Sequence, residues 1–170
     1  MSIVTGPIFQ LAWVVHDLDT AEREFGEQYG VETWMRMPSM RFGPDQARYR
    51  GAPADYVVDT SLAYAGGQQL ELIAPVSGAN LYTEQLARSG PGLNHIAYVP
   101  EDFDASLARA RARGIEVVQH CTVAELGMEF AYLAGGPLGA HIELLRLPAD
   151  ARALFDSMIP DGYRNPWHRA

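Results

Sequence analysis

The sequence predicts an α+β fold built from two tandem β-α-β-β-β modules, and three observations predict it. The first is an echo. Phe9-Gln10-Leu11-Ala12-Trp13-Val14 returns as Asn94-His95-Ile96-Ala97-Tyr98-Val99, and Gln69-Leu70-Glu71-Leu72-Ile73 returns as His141-Ile142-Glu143-Leu144-Leu145. The second is a steady offset. Gln10 to His95 and Asp19 to Asp104 both span 85 residues, and Gly30-Val31-Glu32 matches Gly114-Ile115-Glu116 at 84. The third is that strand and helix signals come in one order in both halves. Such internal similarity points to one supersecondary unit used twice.

Residues 8–15 alternate and are rich in Val, Trp and Ile, a strand pattern. Asp19 followed by Glu22 has capping-box spacing. Ala21, Phe25 and Tyr29, at spacing four, give one apolar face to a helix that stops at Gly30. Residues 31–37 read as a strand. The stretch 38–53 holds Pro38, Gly43, Pro44, Gly51 and Pro53, which predicts a loop or an irregular hairpin. Strands follow near 55–64 and 68–74, with Gly66-Gly67 as their turn.

In the linker 75–91, Asn80 or Ser77 caps a short helix over 79–88, with Leu81 and Leu86 inward. The second module has a strand at 93–99 and a helix capped by Asp102 or Asp104 that ends at Gly114. Strands follow at 115–119, 128–134 and 140–147. The tail opens with a helix over 149–158 and ends irregularly around Pro160, Gly162 and Pro166. The expected organisation is a single domain over 1–170, with modules 8–74 and 93–147, linker helix 79–88, and C-terminal helix and tail 149–170.

Composition bounds the function. At 48% hydrophobic and 20% charged residues, the chain can bury an ordinary globular core. Thirteen basic against 21 acidic residues give a net charge of −8, and an acidic surface repels a phosphate backbone, so nucleic-acid binding is not expected. A local arginine cluster could still take a small anion. No apolar run nears the roughly 20 residues that cross a bilayer, so no membrane partner is expected. Residues 1–6 lack the basic and apolar regions of a signal peptide. Cys121 is the single cysteine. A reducing cytoplasm is the expected location.

The echo places potential donors at matching positions of four strands: Gln10, Glu71, His95 and Glu143. If the halves meet at a pseudo-twofold axis, these build one site from both. Buried carboxylates among apolar neighbours are costly, and metal ligation offsets that cost. Three oxygen donors and an imidazole suit one divalent ion: Co, Mn, Ni, Zn or Fe. His141 lies two residues before Glu143 and shares its strand face. It would support a ligand or touch substrate. Were it a ligand, His95, His141 and Glu143 would form a two-His-one-carboxylate set suited to Fe(II) oxygen chemistry. Arg36, Arg41, Arg48 and Arg50 lie among Met35, Met37, Met40 and Phe42. They make either a solvated hairpin or a flap whose Arg41 and Arg48 bind a substrate carboxylate or phosphate.

Gly92-Leu93-Asn94-His95-Ile96-Ala97-Tyr98 resembles the metal-ligand strand of epimerase-like and glyoxalase-like members of the vicinal oxygen chelate superfamily. Leu70-Glu71-Leu72 and Ile142-Glu143-Leu144 are similar to its carboxylate positions, and Leu81-Tyr82-Thr83-Glu84-Gln85-Leu86 with Gly90-Pro91-Gly92 looks like the epimerase branch. The resemblance covers residues 8–147. It implies paired half-barrels around one divalent metal, ligated here by Gln10, Glu71, His95 and Glu143. The implied function is a methylmalonyl-CoA epimerase-like isomerase that removes a proton next to a carbonyl through an enolate. Glu143 is the first candidate for the base and Glu71 the second. Gln10 stands where epimerases usually carry a His, and matches the Gln-Glu-His-Glu set of glyoxalase I, so a lactoylglutathione lyase is the alternative. A bleomycin-resistance-like binding protein and an Fe(II) dioxygenase complete the field. The implied partners are a small-molecule substrate, such as an acyl-CoA thioester or another anionic carbonyl compound, and a second copy in a homodimer.

Overall fold

The computed structural model describes residues 2–4, 6–65, 67–135 and 139–168. In chain order the first half holds β1 (Ile8–Val14), α1 (Leu18–Tyr29), β2 (Met35–Phe42), β3 (Ala47–Tyr49), β4 (Ala52–Pro53), β5 (Tyr56–Ala65) and β6 (Gln68–Ser77). The linker helix α2 (Leu81–Ser89) leads to β7 (Gly92–Tyr98), α3 (Phe103–Ala112), β8 (Val117–Val123), β9 (Met128–Leu133) and β10 (His141–Arg146), and α4 (Ala149–Ser157) follows. The strands form one mixed sheet in the order β2-β5-β6-β1-β7-β10-β9-β8-β3-β4. The eight strands from β2 to β8 in this order read as two copies of one order, mirrored about the antiparallel β1–β7 pair. Each copy keeps a parallel pair beside the axis, β1 with β6 and β7 with β10.

The sheet curls into a half-barrel. Phe42 on β2 meets Phe130 on β9 edge-on at 5.6 Å, although six places in strand order separate them. After β2 the chain crosses the opening, and β3 pairs with β8 at the opposite edge through Ala47–Cys121 and Tyr49–Gln119. The predicted 38–53 loop is therefore mostly strand. β2 absorbs Pro38 at a register shift between Met37 and Met40, where Ser39 takes a positive φ of 55°. A bulge is one of the few places a sheet accepts proline.

Helices α1 and α3 pack on the convex face. Leu18 and Ala21 bury against Leu72 and Ala74, while Phe103, Leu107 and Ala110 bury against Ala131, Leu133 and Leu144. Each such leucine or phenylalanine contributes about 1.5–3 kcal/mol by leaving water. The cap of α1 is Asp17, whose carboxylate accepts from Thr20 N at 2.7 Å, and not the expected Asp19. Asp19 and Glu22 instead hold Arg36 on β2. Asn80 caps α2 with Thr83 completing the box, and Asp102 caps α3. Gly66 of the expected turn lies outside the described residues. No helix among the described residues is long and apolar enough to cross a membrane.

Candidate metal centre

The site lies across the four central strands, and strand register explains it. One row of neighbours reads Glu71, Ala12, His95, His141 from β6 through β1 and β7 to β10; the next reads Gln69, Gln10, Ala97, Glu143. The four candidate donors thus alternate with Ala12 and Ala97, both fully buried. These alanines occupy equivalent places in the two modules. Their short side chains leave a depression on the sheet, and the longer donors reach into it.

All four donors converge. His95 is fully buried, and its Nε2 lies 3.2 Å from Glu143 Oε2, 3.4 Å from Gln10 Oε1 and 3.6 Å from Glu71 Oε2. Two pairings fix the donor faces. Asn94 Nδ2 donates to Gln85 Oε1, so Asn94 Oδ1 accepts from His95 Nδ1 at 2.9 Å. The neutral ring then carries its proton on Nδ1 and aims the Nε2 lone pair at the three oxygens. Gln10 Nε2 donates to Gln69 Oε1 at 2.7 Å, and Gln69 Nε2 donates to Tyr64, which turns the Gln10 carbonyl inward.

With the ring proton on Nδ1, the Nε2 lone pair and the three oxygens face one another. Glu143 Oε2, buried and 3.2 Å from Nε2, makes no hydrogen bond. A buried carboxylate oxygen in that state selects for a cation. The electrostatics agree in direction. Burial, with the Glu143 charge adding to it and His95 opposing, pushes Glu71 up to about 7. Burial works against a charged His95, yet Glu143 and Glu71 outweigh it and raise the imidazole above its usual value.

Among the described residues, no three His, Cys, Asp or Glu side chains already form a metal cage. The set here needs the Gln10 amide as its fourth member. Two donors each about 2.1 Å from one ion lie about 3.0 Å apart at an octahedral angle and about 3.4 Å apart at a tetrahedral one. The three separations from Nε2 fall in or within about 0.2 Å of that range. The orphaned Glu143 oxygen and the mixed donor set therefore fit one divalent ion.

The other expected site residues lie elsewhere. His141 is the register neighbour of His95 and donates from Nδ1 to Leu133 O at 3.1 Å. Arg41 falls between the inward Met40 and Phe42, so it points outward, where it pairs with Asp55 at 2.7 Å. Arg48, on β3, bonds the carbonyls of Pro44 and Ala47. Neither arginine lines the cavity that the donors face.

That cavity measures about 320 Å³ and lies in the hollow of the half-barrel. Gln10, Glu71 and Glu143 form its polar end; Met35, Met37, Met40, Phe42, Met128 and Phe130 line much of the rest. Tyr82 and Tyr132 stand beside the polar end, joined hydroxyl to hydroxyl at 2.7 Å, and burial holds both far above the ordinary phenol value. Tyr132 also packs edge-on against His95 at 4.9 Å. Leu154 and Phe155 of α4, with Met158, cover one side.

Asn94, Gln69 and the tyrosine pair were not candidates from sequence. Gln69 had a signal, since it shares the face of Glu71. Asn94 had none: alternation puts it opposite His95, and only the register shift beside His95 brings the two together.

A family profile described as the glyoxalase/bleomycin resistance protein/dioxygenase superfamily matches residues 9–132. No curated protein matches the chain in sequence. Solved structures do match in fold. Methylmalonyl-CoA epimerase from Mycobacterium tuberculosis aligns at 22% identity and a TM-score of 0.59, covering 90% of this chain and 95% of that one. A variant of the Streptomyces coelicolor methylmalonyl-CoA epimerase, in complex with 2-nitronate-propionyl-CoA, aligns at 22% identity and a TM-score of 0.56, covering 85% and 96%. A hypothetical protein from Bacillus halodurans aligns at 16% identity and a TM-score of 0.60, covering 83% and 94%.

Proposed function

The chain belongs to the glyoxalase/bleomycin resistance protein/dioxygenase superfamily, and from that premise we propose that it is a divalent-metal-dependent isomerase of the epimerase type. It moves a proton on the carbon next to a substrate carbonyl. The observation that carries this reading is the convergence of three oxygens, drawn from both modules, on one buried imidazole nitrogen at the end of a cavity.

Gln10, Glu71, His95 and Glu143 hold the ion. When bound, a divalent ion supplies Lewis acidity at a carbonyl oxygen, which lowers the cost of negative charge appearing there. Glu143 is the base and Glu71 the opposing acid. They come from equivalent strands and approach the depression from opposite sides of the pseudo-axis, as inversion at one carbon requires. Tyr132 accepts from Tyr82 and keeps its own O–H for a substrate oxygen. The Met and Phe walls are apolar, so the proton returned to the carbon comes from Glu71, which exchanges with solvent between turnovers.

Methylmalonyl-CoA is the reference substrate, given the epimerases that share this fold. Gln10 favours a second reading, a glyoxalase I-like lyase, because an amide stands where epimerases carry an imidazole. The cytoplasm as location and a homodimer as assembly belong to the same proposal. Incubation of metal-loaded protein with each substrate in deuterated water is the test. The proposal expects α-deuterium in recovered substrate, no such exchange with Glu143→Gln, and none after chelation. Exchange that survives both changes would overturn it.

A further inference from the structure

We propose that the part of the substrate buried beyond the chelating head is uncharged and apolar, an aromatic or branched aliphatic body that fills the Met-rich cavity. This rests on the reading of Gln10, Glu71, His95 and Glu143 as one metal centre facing that cavity. The chain contains no lysine, so its 13 cations are all arginines. Among the described residues that line the cavity, none is an arginine or a histidine; the charged side chains there are Glu71 and Glu143. The arginines adjacent in sequence to its wall are occupied outside it. Arg36 pairs with Glu22, Arg41 with Asp55, and Arg146 with both Glu129 and Asp104.

An anionic group carried past the donors and the tyrosine pair would leave water and meet thioethers and rings, with the Thr60 hydroxyl, itself donating to Met40, as the remaining polar group there and no cation to pair with it. A hydrocarbon group would meet the opposite. Five methionines line the space, at positions 35, 37, 40, 128 and 158. Unbranched thioethers adapt to irregular apolar shapes and make favourable contacts with aromatic rings. At roughly 30 Å³ for each water-sized group, a cavity of about 320 Å³ takes head and body of about ten such groups together. That exceeds what a single methyl branch needs.

The test is a hydroxamate series, whose heads chelate through adjacent oxygens: acetyl, butanoyl, hexanoyl, octanoyl and benzoyl hydroxamates. The monohydroxamate of suberic acid matches the octanoyl chain but ends in a carboxylate. Binding to protein loaded with Co(II) is measured by calorimetry. The proposal expects affinity to rise about fourfold per added methylene, from about 0.8 kcal/mol each, until the cavity is full. It expects the carboxylate-ended probe to bind at least tenfold more weakly than octanoyl hydroxamate. Flat affinity along the series, or equal binding of the carboxylate-ended probe, overturns it.

The same series on metal-stripped protein, with Nile red as a probe that cannot chelate, separates the two readings. A chain-length gain with no dependence on metal sinks the metal centre and keeps the apolar body. Dependence on metal with no chain-length gain does the reverse. Met37→Arg, on the outermost strand of the module, places a cation in the wall. It should weaken octanoyl hydroxamate at least tenfold and favour the carboxylate-ended probe, and an unchanged preference counts against the proposal.

Discussion

Glu143→Gln distinguishes a metal centre from a structural ion pair by the sign of its effect. In metal-free protein Glu143 Oε2 is buried without a hydrogen bond, and Glu71 already faces the same imidazole at 3.6 Å. Neutralising Glu143 removes the repulsion between two buried carboxylates and leaves Glu71 facing His95. Relief of an unsatisfied buried group is worth about 1–3 kcal/mol. In a domain of this size each kcal/mol moves Tm by about 2–4 °C, so the metal-free variant should melt about 2–12 °C above the parent. With metal the gap closes or reverses. An ion at a hundred times its Kd adds about 2.7 kcal/mol to the parent, roughly 5–11 °C, and the variant, lacking a charged ligand, gains little. The assay is thermal unfolding of both proteins after chelation, then with added Co(II) or Zn(II). Breaking a well-formed buried ion pair costs about 3–5 kcal/mol. A metal-free variant that melts well below the parent would therefore refute the reasoning.

Three further outcomes follow from other parts of the molecule. Ala97→Leu fills the depression between the donors, so it should abolish metal binding at a stability cost of about 1–3 kcal/mol; calorimetric titration that finds unchanged binding would contradict the checkerboard geometry. Burial pushes the Cys121 thiol up to about 12, so a thiol reagent at pH 8 should leave folded protein unlabelled and label it once unfolded. Burial alone would raise Asp156, but hydrogen bonds from Asn165, His168 and Trp167 hold it below the usual carboxylate range. Its contribution is therefore present above the unfolded value and lost as pH falls through the folded one; Asp156→Asn should cost about 1–2 kcal/mol at pH 7 and progressively less as pH falls below the usual carboxylate range, read by denaturant unfolding.

The positions of the four converging side chains were legible because duplication carries its own register. An 85-residue echo that aligns Gln10 with His95 also aligns Ala12 with Ala97. The mirrored β1–β7 pairing then brings the two halves together with no further information. Where pairing is long-range, sequence patterns failed. Nothing local says that residues 47–53 leave their own module to edge the other one on β8. The Pro38 bulge hid the second part of β2, beyond Met37, inside an apparent loop. With that part unseen, the alternation that turns Arg41 away from Met40 and Phe42 was unseen as well. The α1 cap failed for a related reason. Asp19 has the right spacing to Glu22, but both carboxylates are held by Arg36, whose place depends on where β2 begins.

The central claim is that one ion is held by donors from both modules. Calorimetric titration of chelator-stripped protein with Co(II) tests it most directly, on the parent and on Gln10→Ala, Glu71→Ala, His95→Ala and Glu143→Ala. The account predicts one ion per chain and at least tenfold weaker binding in every variant, whichever module it alters. Absence of binding in the parent, or binding that depends on the donors of one module alone, would contradict it.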